Sequence, residues 1–350
     1  MNNVVKQKWF FPVIGLVILL LIGGFFAFTQ FNGKKKNDEP APTPDTPAPV
    51  VEPKKVSIID VESKNRSIAV MINNIGVARP LQSGLQDAYI IYEIIVEGGI
   101  TRYMAVFQDQ NTARIGSIRS ARHYFLDYAL ENDAIYVHNG QSPQAQSDFS
   151  ALGIDHITAE APKTGIRDKS LNVSSEHTLF TSMDLIKNGI GSKRTERKRS
   201  FLLTYSVDSI DLASIENSKT ANSVSIKYSN SSTSSYEYDE ANKVYKRFVN
   251  GKAHTDYVTK NQYTFKNIIT YQVNNYNLND GSGKGRQGLD NIGSGTGYYI
   301  SEGIAVPIKW TKKDRATQTK YTLMDGTPLT VNDGNTFIQI QPSGQTLTIN

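Results

Sequence analysis

From position 10 to position 29 the chain reads FFPVIGLVILLLIGGFFAFT, twenty residues without a charge. Coiled into an α-helix, such a run is about 30 Å long, the thickness of a bilayer hydrocarbon core. A cleavable signal sequence carries a shorter apolar stretch, roughly 7–15 residues, closed by a small-x-small cleavage site. The segment Gly23-Gly24-Phe25-Phe26-Ala27-Phe28 offers no such site. An uncleaved single-pass anchor is therefore expected over residues 10–29, behind a short tail of residues 1–9. Residues 37–55 (NDEPAPTPDTPAPVVEPKK) then hold six of the thirteen prolines. Pro-rich chain stays extended at about 3 Å per residue, so residues 30–56 read as a linker without fixed structure, holding the remainder of the chain roughly 60 Å from the membrane. Lys6 and Lys8 precede the anchor and Lys34, Lys35 and Lys36 come after it, so the positive-inside rule is nearly balanced. The long spacer favours the outward reading: a cell-membrane protein with its globular part extracellular.

Those five lysines also account for the formal net charge of +5; the rest of the chain has 33 basic and 33 acidic side chains. By charge, the body is no binder of nucleic acid. Cysteine is absent, which excludes disulfides, thiolate metal sites, cysteine nucleophiles and a lipid-modified cysteine. The five histidines show no HxxxH spacing, and neither a metal nor a cofactor is expected.

Beyond the linker the patterning changes once. Over residues 57–191, strand-like stretches rich in Ile, Val and Tyr occur at 67–75, 88–96, 101–107 and 135–138, the second almost continuously apolar and so expected to be buried on both faces. Between them Ile118, Ala121, Phe125 and Ala129, spaced by 3, 4 and 4, predict a helix over 118–130. Ser142-Pro143 is a helix start, and 181–188 predicts a short helix stopped at Gly189. That alternation is α/β (or α+β). Residues 192–200 hold a basic run, KRTERKR, read mainly as a solvated junction, with binding to an anionic polymer or lipid phosphate as the sharper alternative. From 201 to 350 the chain is strand and turn, with Asp325-Gly326 placed as a hairpin turn. The expected architecture is an α/β amino-terminal domain, then a mostly β carboxy-terminal domain, behind one transmembrane helix.

Several of these stretches carry a resemblance. Residues 78–93 (ARPLQSGLQDAYIIYE), 96–107 (VEGGITRYMAVF), 115–122 (IGSIRSAR), 137–145 (VHNGQSPQA) and 176–182 (EHTLFTS) resemble the YerB-like lipoprotein family. In the second half the resemblance continues through 285–303 (GRQGLDNIGSGTGYYISEG), 308–314 (IKWTKKD) and 319–340 (TKYTLMDGTPLTVNDGNTFIQI). It runs in order from about Ser67 to Pro342. The resemblance implies a two-domain protein of uncharacterised function, surface-exposed and membrane-attached in Gram-positive-type bacteria. Members often carry a lipid-modified cysteine; here the apolar helix takes its place.

The strongest candidate site lies around residues 115–122. Ser117 precedes the expected helix, and Arg119 and Arg122, three apart, share its first turn, with Arg102 just past the Gly98-Gly99 bend. Cations at a helix amino terminus oppose its dipole by about 0.3–1 kcal/mol each. Something must compensate, either a bound phosphate or carboxylate or the nearby Glu93 and Glu97 as an internal ion-pair network. As a glycosidase pair those two glutamates fail, because four residues along a strand is about 13 Å and such pairs need roughly 5–9.5 Å. A second candidate is His138 with Asn139, at the carboxyl end of a strand and beside a helix start, where α/β sheets bind ligands; a hydrogen-bonded scaffold histidine is the plainer reading. The glycine-rich stretch 281–297 fits no nucleotide pattern and is expected to form close turns or a loop over the first domain.

Three functions fit. One is a cell-envelope protein that binds an anionic wall or lipid-linked ligand through the arginines. A second is an enzyme acting on the same substrates, and a third is an interaction scaffold with no small ligand and an unknown protein partner.

Overall fold

The Ile/Val/Tyr-rich stretches of the first region form Ile68–Asn73 (β1), Ile90–Ile95 (β2), Thr101–Phe107 (β3) and Ile135–His138 (β4), in the spatial order β2-β3-β1-β4. This arrangement comes from a computed structural model, which describes residues 54–350. The expected anchor and nearly all of the linker lie outside the described residues; within them no helix is long and apolar enough to cross a membrane.

The sheet does not stop where the composition changes. His156–Thr158 (β5) closes one edge, and the second region contributes Lys219–Thr220 (β6), Asn267–Val273 (β7), Gly293–Ser301 (β8), Ile304–Lys312 (β9), Lys320–Leu323 (β10) and Thr336–Pro342 (β11). The order is β6-β9-β8-β7-β11-β2-β3-β1-β4-β5, with β10 paired to β9. The two regions are joined by the parallel pair of β2 and β11, where Ile90 faces Thr336 and Ile94 faces Ile340. Parallel strands covered on both sides should read as unbroken apolar runs, and every residue of β2 and β11 is buried. Successive side chains go to opposite faces. Ile90, Tyr92 and Ile94 join one core with Phe125, Tyr128 and Tyr136, while Ile91 and Ile95 join the other. Burial of each such side chain contributes about 1.5–3 kcal/mol.

Helices His123–Glu131 (α1) and Pro143–Ala151 (α2) bury Phe125, Tyr128, Ala145 and Phe149 in the first core. The second core is covered by a smaller antiparallel sheet, built around Ser223–Ser229, Ser232–Asp239 and Val244–Val249. Its Val224, Ile226, Tyr228, Tyr236 and Tyr245 point inward. The second region is thus mostly β, and Asp325-Gly326 makes the expected hairpin turn, with Leu323 N donating to Thr327 O at 2.8 Å.

Three local expectations are corrected. Helix α1 starts at His123, not at 118, because the backbone of the preceding residues is taken by other partners. Ile118 N donates to Leu179 O, Arg119 N to Met71 O and Ala121 N to Gly140 O, at 2.8–3.0 Å. Arg122, at φ −129° and ψ 144°, is the residue before the helix. Helix α3, Met183–Ile190, runs through Gly189 and ends at Gly191 (φ 56°). Gly189 serves packing there, since a Cβ would lie 2.8 Å from Ile157 Cγ2 and 2.9 Å from Thr164 Cγ2. Finally, the basic run is more than a solvated junction. Arg194 pairs with Asp133, Arg197 donates to Ser63 O and Arg199 O, and Arg199 donates to Leu130 O and Ala316 O.

Candidate functional site

Two glutamates four residues apart, one in β2 and one just past its end, meet different surroundings. Glu93, within the strand, has no solvent exposure. Its partner is none of the arginines named from the sequence but Arg247 of the second region, itself fully buried, with Nη2 at 2.6 Å from Glu93 Oε2. Ser234 Oγ donates to the same oxygen at 2.8 Å and Thr101 Oγ1 to Oε1 at 2.7 Å. A buried ion pair is tolerated only when its remaining hydrogen-bonding capacity is met, and here a ring of side chains meets it. Thr101 accepts from Asn74 Nδ2 at 2.7 Å; Asn74 Oδ1 accepts from Gln82 Nε2 at 3.4 Å; Gln82 Oε1 accepts from His254 Nε2; and His254 Nδ1 accepts from Arg247 Nη1 at 3.3 Å. Arginine only donates, so His254 is neutral, with its proton on Nε2. Burial, and then the charges of Arg247 and Arg79, hold it in that form by lowering its pKa.

Glu97 lies past the end of β2, in the turn Glu97–Gly99, where Gly98 and Gly99 adopt φ of 68° and 71°. That reversal brings Arg102 back beside it. Glu97 takes a two-pronged contact from Arg122, Nε to Oε1 at 2.5 Å and Nη2 to Oε2 at 3.0 Å, while Arg102 Nη2 stands 3.7 Å from Oε2. Burial alone would raise the Glu97 pKa. The hydrogen bonds from Arg122, with the charges of Arg122 and Arg102, outweigh it and hold the carboxyl below its usual value. Arg102 shifts the opposite way: burial and the neighbouring Arg122 charge bring it down to about 10, and its Nε has no partner.

Beside this triad opens a cleft of about 350 Å³ lined by Glu97, Ser120, Arg122, Ser142, Lys284 and Arg286. The last two come from the glycine-rich loop, which folds back over the first region: Gln144 Nε2 donates to Asp280 at 3.1 Å, and Arg286 pairs with the same carboxylate at 2.6 Å. Gly281, Gly283 and Gly285 all have positive φ, a backbone that glycine adopts without strain. Sequence reasoning missed Lys284 and Arg286. The signal was present in GSGKGR, two cations within a run of glycines, but nothing local said which part of the first region the loop meets.

The remaining candidates serve the scaffold. Arg119 turns away to Glu176, at 2.6 Å, and does not line the cleft. Ser117 is buried beneath β1, where its carbonyl accepts from Asn73 N at 2.9 Å. Asn139 donates through Nδ2 to Ala159 O at 2.8 Å. Both ring nitrogens of His138 are occupied, Nδ1 by Gly140 O at 2.9 Å and Nε2 by His156 Nδ1 at 3.0 Å, and its ring packs on Phe149. Burial pushes its pKa down to about 4. Among the described residues, no group of three or more His, Asp or Glu side chains is arranged to hold a metal.

Comparison with known proteins agrees with this architecture. The chain is 29% identical over 289 residues to a Bacillus subtilis (strain 168) protein described as "Putative lipoprotein YerB", covering 80% of this chain and 82% of that one. The crystal structure of the YerB protein from Bacillus subtilis superposes with a TM-score of 0.69 at 27% identity, over 81% of this chain and 94% of that one. Residues 56–196 match the amino-terminal domain, and residues 224–338 the carboxy-terminal domain, of a family described as proteins of unknown function, DUF3048. The chain belongs to the DUF3048 family.

Proposed function

We propose that this is a membrane-attached, extracytoplasmic binding protein of the cell envelope, and that the cleft beside Glu97 receives an anionic group, a phosphate or carboxylate borne by a wall polymer or a lipid-linked precursor. The observation that carries the reading is the charge balance. Arg102, Arg122, Lys284 and Arg286 gather around two carboxylates, Glu97 and Asp280, which leaves two positive charges in excess. Lys284 is exposed and forms no ion pair among the described residues. Guanidinium groups with spare N–H donors suit phosphate and carboxylate oxygens. The apolar run at residues 10–29 and the description of the relative as a lipoprotein support the membrane location.

Binding is favoured over catalysis by the state of the groups around the cleft. Glu97 and Asp280 are both held below the usual carboxylate range by their partners, and His138, which does not line the cleft, has no free ring nitrogen. A general acid or base needs a proton to give or a free lone pair within reach of the substrate.

The test is thermal unfolding of the full-length protein in detergent, against pyrophosphate and against soluble anionic wall polymer. A ligand at one hundred times its dissociation constant adds about 2.7 kcal/mol. Stabilisation of the wild type that is lost in Lys284→Ala/Arg286→Ala supports the cleft. Equal stabilisation of both proteins, or none of either, removes it.

A further inference from the structure

The ring of side chains around the Glu93–Arg247 pair is not sealed on every side. Between the loop that leaves β1 and a hairpin of the smaller sheet lies a second cavity, of about 320 Å³, lined by Arg79, Pro80, Val249, Lys252, Ala253 and His254. The hairpin turns at Asn250-Gly251, with φ of 50° and 73°, the backbone that a two-residue Asn-Gly turn supplies. That turn sets Lys252 at the mouth, while His254, a member of the buried ring, lies deeper and is only 2% exposed.

Arg79 is the distinctive group. It is half-buried, and Asn74 holds it from one side, Nε donating to Asn74 Oδ1 and Nη2 to Asn74 O, both at 3.0 Å. Asn74 belongs to the buried ring, so the guanidinium is fixed to a buried, hydrogen-bonded network. Nη1 and the second N–H of Nη2 are left over. No carboxylate lines the cavity, and neither Arg79 nor Lys252 forms an ion pair among the described residues. The guanidinium groups beside Glu93 and Glu97 behave differently: Arg247 and Arg122 each end on a carboxylate of this chain, and Arg102 stands 3.7 Å from one.

We infer that this cavity is a second binding site, for a carboxylate carried on a small aliphatic body, as at the carboxyl terminus of a peptide. The outer edge of Arg79 would take the carboxylate oxygens, Lys252 would add a point charge, and Pro80, Val249 and Ala253 would receive the aliphatic part. Arg79 reaches only carbonyl-type oxygens of Asn74 and is held in one orientation, which is the preorganisation that a planar two-oxygen acceptor rewards. This site shares no residue with the cleft at Glu97, so either can stand without the other.

The experiment is isothermal titration of the full-length protein in detergent with N-acetyl-alanyl-alanine, with the same dipeptide as its carboxyl-terminal amide, and with inorganic phosphate. The free acid should bind, the amide should bind at least tenfold more weakly, and phosphate should not compete. Lys252→Gln, an exposed change outside the buried ring, should weaken the acid at least fivefold, and Arg79→Gln at least tenfold. Lys252→Gln keeps the test decisive even if Arg79→Gln fails to fold. No binding of the acid, equal binding of acid and amide, displacement by phosphate, or indifference to Lys252→Gln would each overturn the assignment.

Discussion

Glu93 lies within β2 and Glu97 just past its end, and each ends on an arginine, yet the two pairs do opposite work. The Glu93–Arg247 pair is wholly desolvated, and its hydrogen-bonding capacity is met by Ser234, Thr101, Tyr236 and His254. The Glu97–Arg122 pair faces a cleft, with a second arginine beside it and a further cationic loop opposite. A charge fully enclosed by its own chain has nothing left to offer a ligand and can only lock the two regions together. A pair that is half open and outnumbered by cations has charge to spare. The difference lies in what surrounds each pair, not in the pair.

The largest expected effect comes from enclosure. Arg247→Ala strands Glu93 in the core and should cost about 3–5 kcal/mol, read as a drop in the denaturation midpoint. Removing both charges at once, as Glu93→Leu with Arg247→Met, should cost less than the single change. If Arg247→Ala proves no worse than Arg122→Gln, enclosure is not what separates the pairs.

His138 extends the same reasoning to a group that cannot stay charged where it lies. Its folded pKa of about 4 is below the ordinary value of 6.5, so the unfolded chain takes up the proton first. Stability from this group is complete above pH 6.5 and declines as the pH falls toward 4, by up to about 3 kcal/mol. NMR titration of the ring should show no protonation above about pH 5. Titration near 6.5 would mean an open ring, and would make His138 a ligand-binding candidate again.

Arg122→Gln should be milder for stability, about 1–2 kcal/mol, because the pair is part-solvated and Arg102 remains beside Glu97. The depressed Glu97 pKa makes its contribution present above the unfolded carboxyl value and lost as the pH falls through the folded one. The acid limb of the stability curve should therefore be shallower in Arg122→Gln than in wild type. Parallel acid limbs would show that Arg122 does not set the charge state of Glu97.

How much of this was legible beforehand depends on the range over which each feature is decided. The strands and the N-cap at Ser142 were legible because apolar alternation and a capping hydroxyl are local signals. The start of α1 was not. The spacing of Ile118, Ala121, Phe125 and Ala129 is helical, but Ile118 packs in one core and the other three in the opposite one, with the intervening backbone held by β1 and the Leu179 strand. The need of Glu93 for a cationic partner was visible; that the partner would be Arg247, 154 positions away, was not, because sequence order carries no record of which strands a sheet brings together. Lys284 and Arg286 escaped for the same reason.

The smallest structural effect should accompany one of the larger functional ones. Lys284 is exposed and touches no carboxylate among the described residues, and the glycines on either side, at 283 and 285, would each have open space around an added Cβ. Lys284→Ala should change stability by no more than about 0.5 kcal/mol. A cation placed opposite Arg122 still contributes to the field that an incoming anion meets, and that field is screened by salt over about 10 Å at 0.1 M. The variant should therefore bind anionic polymer more weakly at low ionic strength, and the gap from wild type should close as salt is raised. A gap that persists at high salt would mean that Lys284 acts through a direct, desolvated contact, with the loop closing over the ligand. Absence of any gap would confine the cleft to Arg122 and Arg286. Each result shifts the boundary between enclosed charge that builds the fold and open charge that serves it.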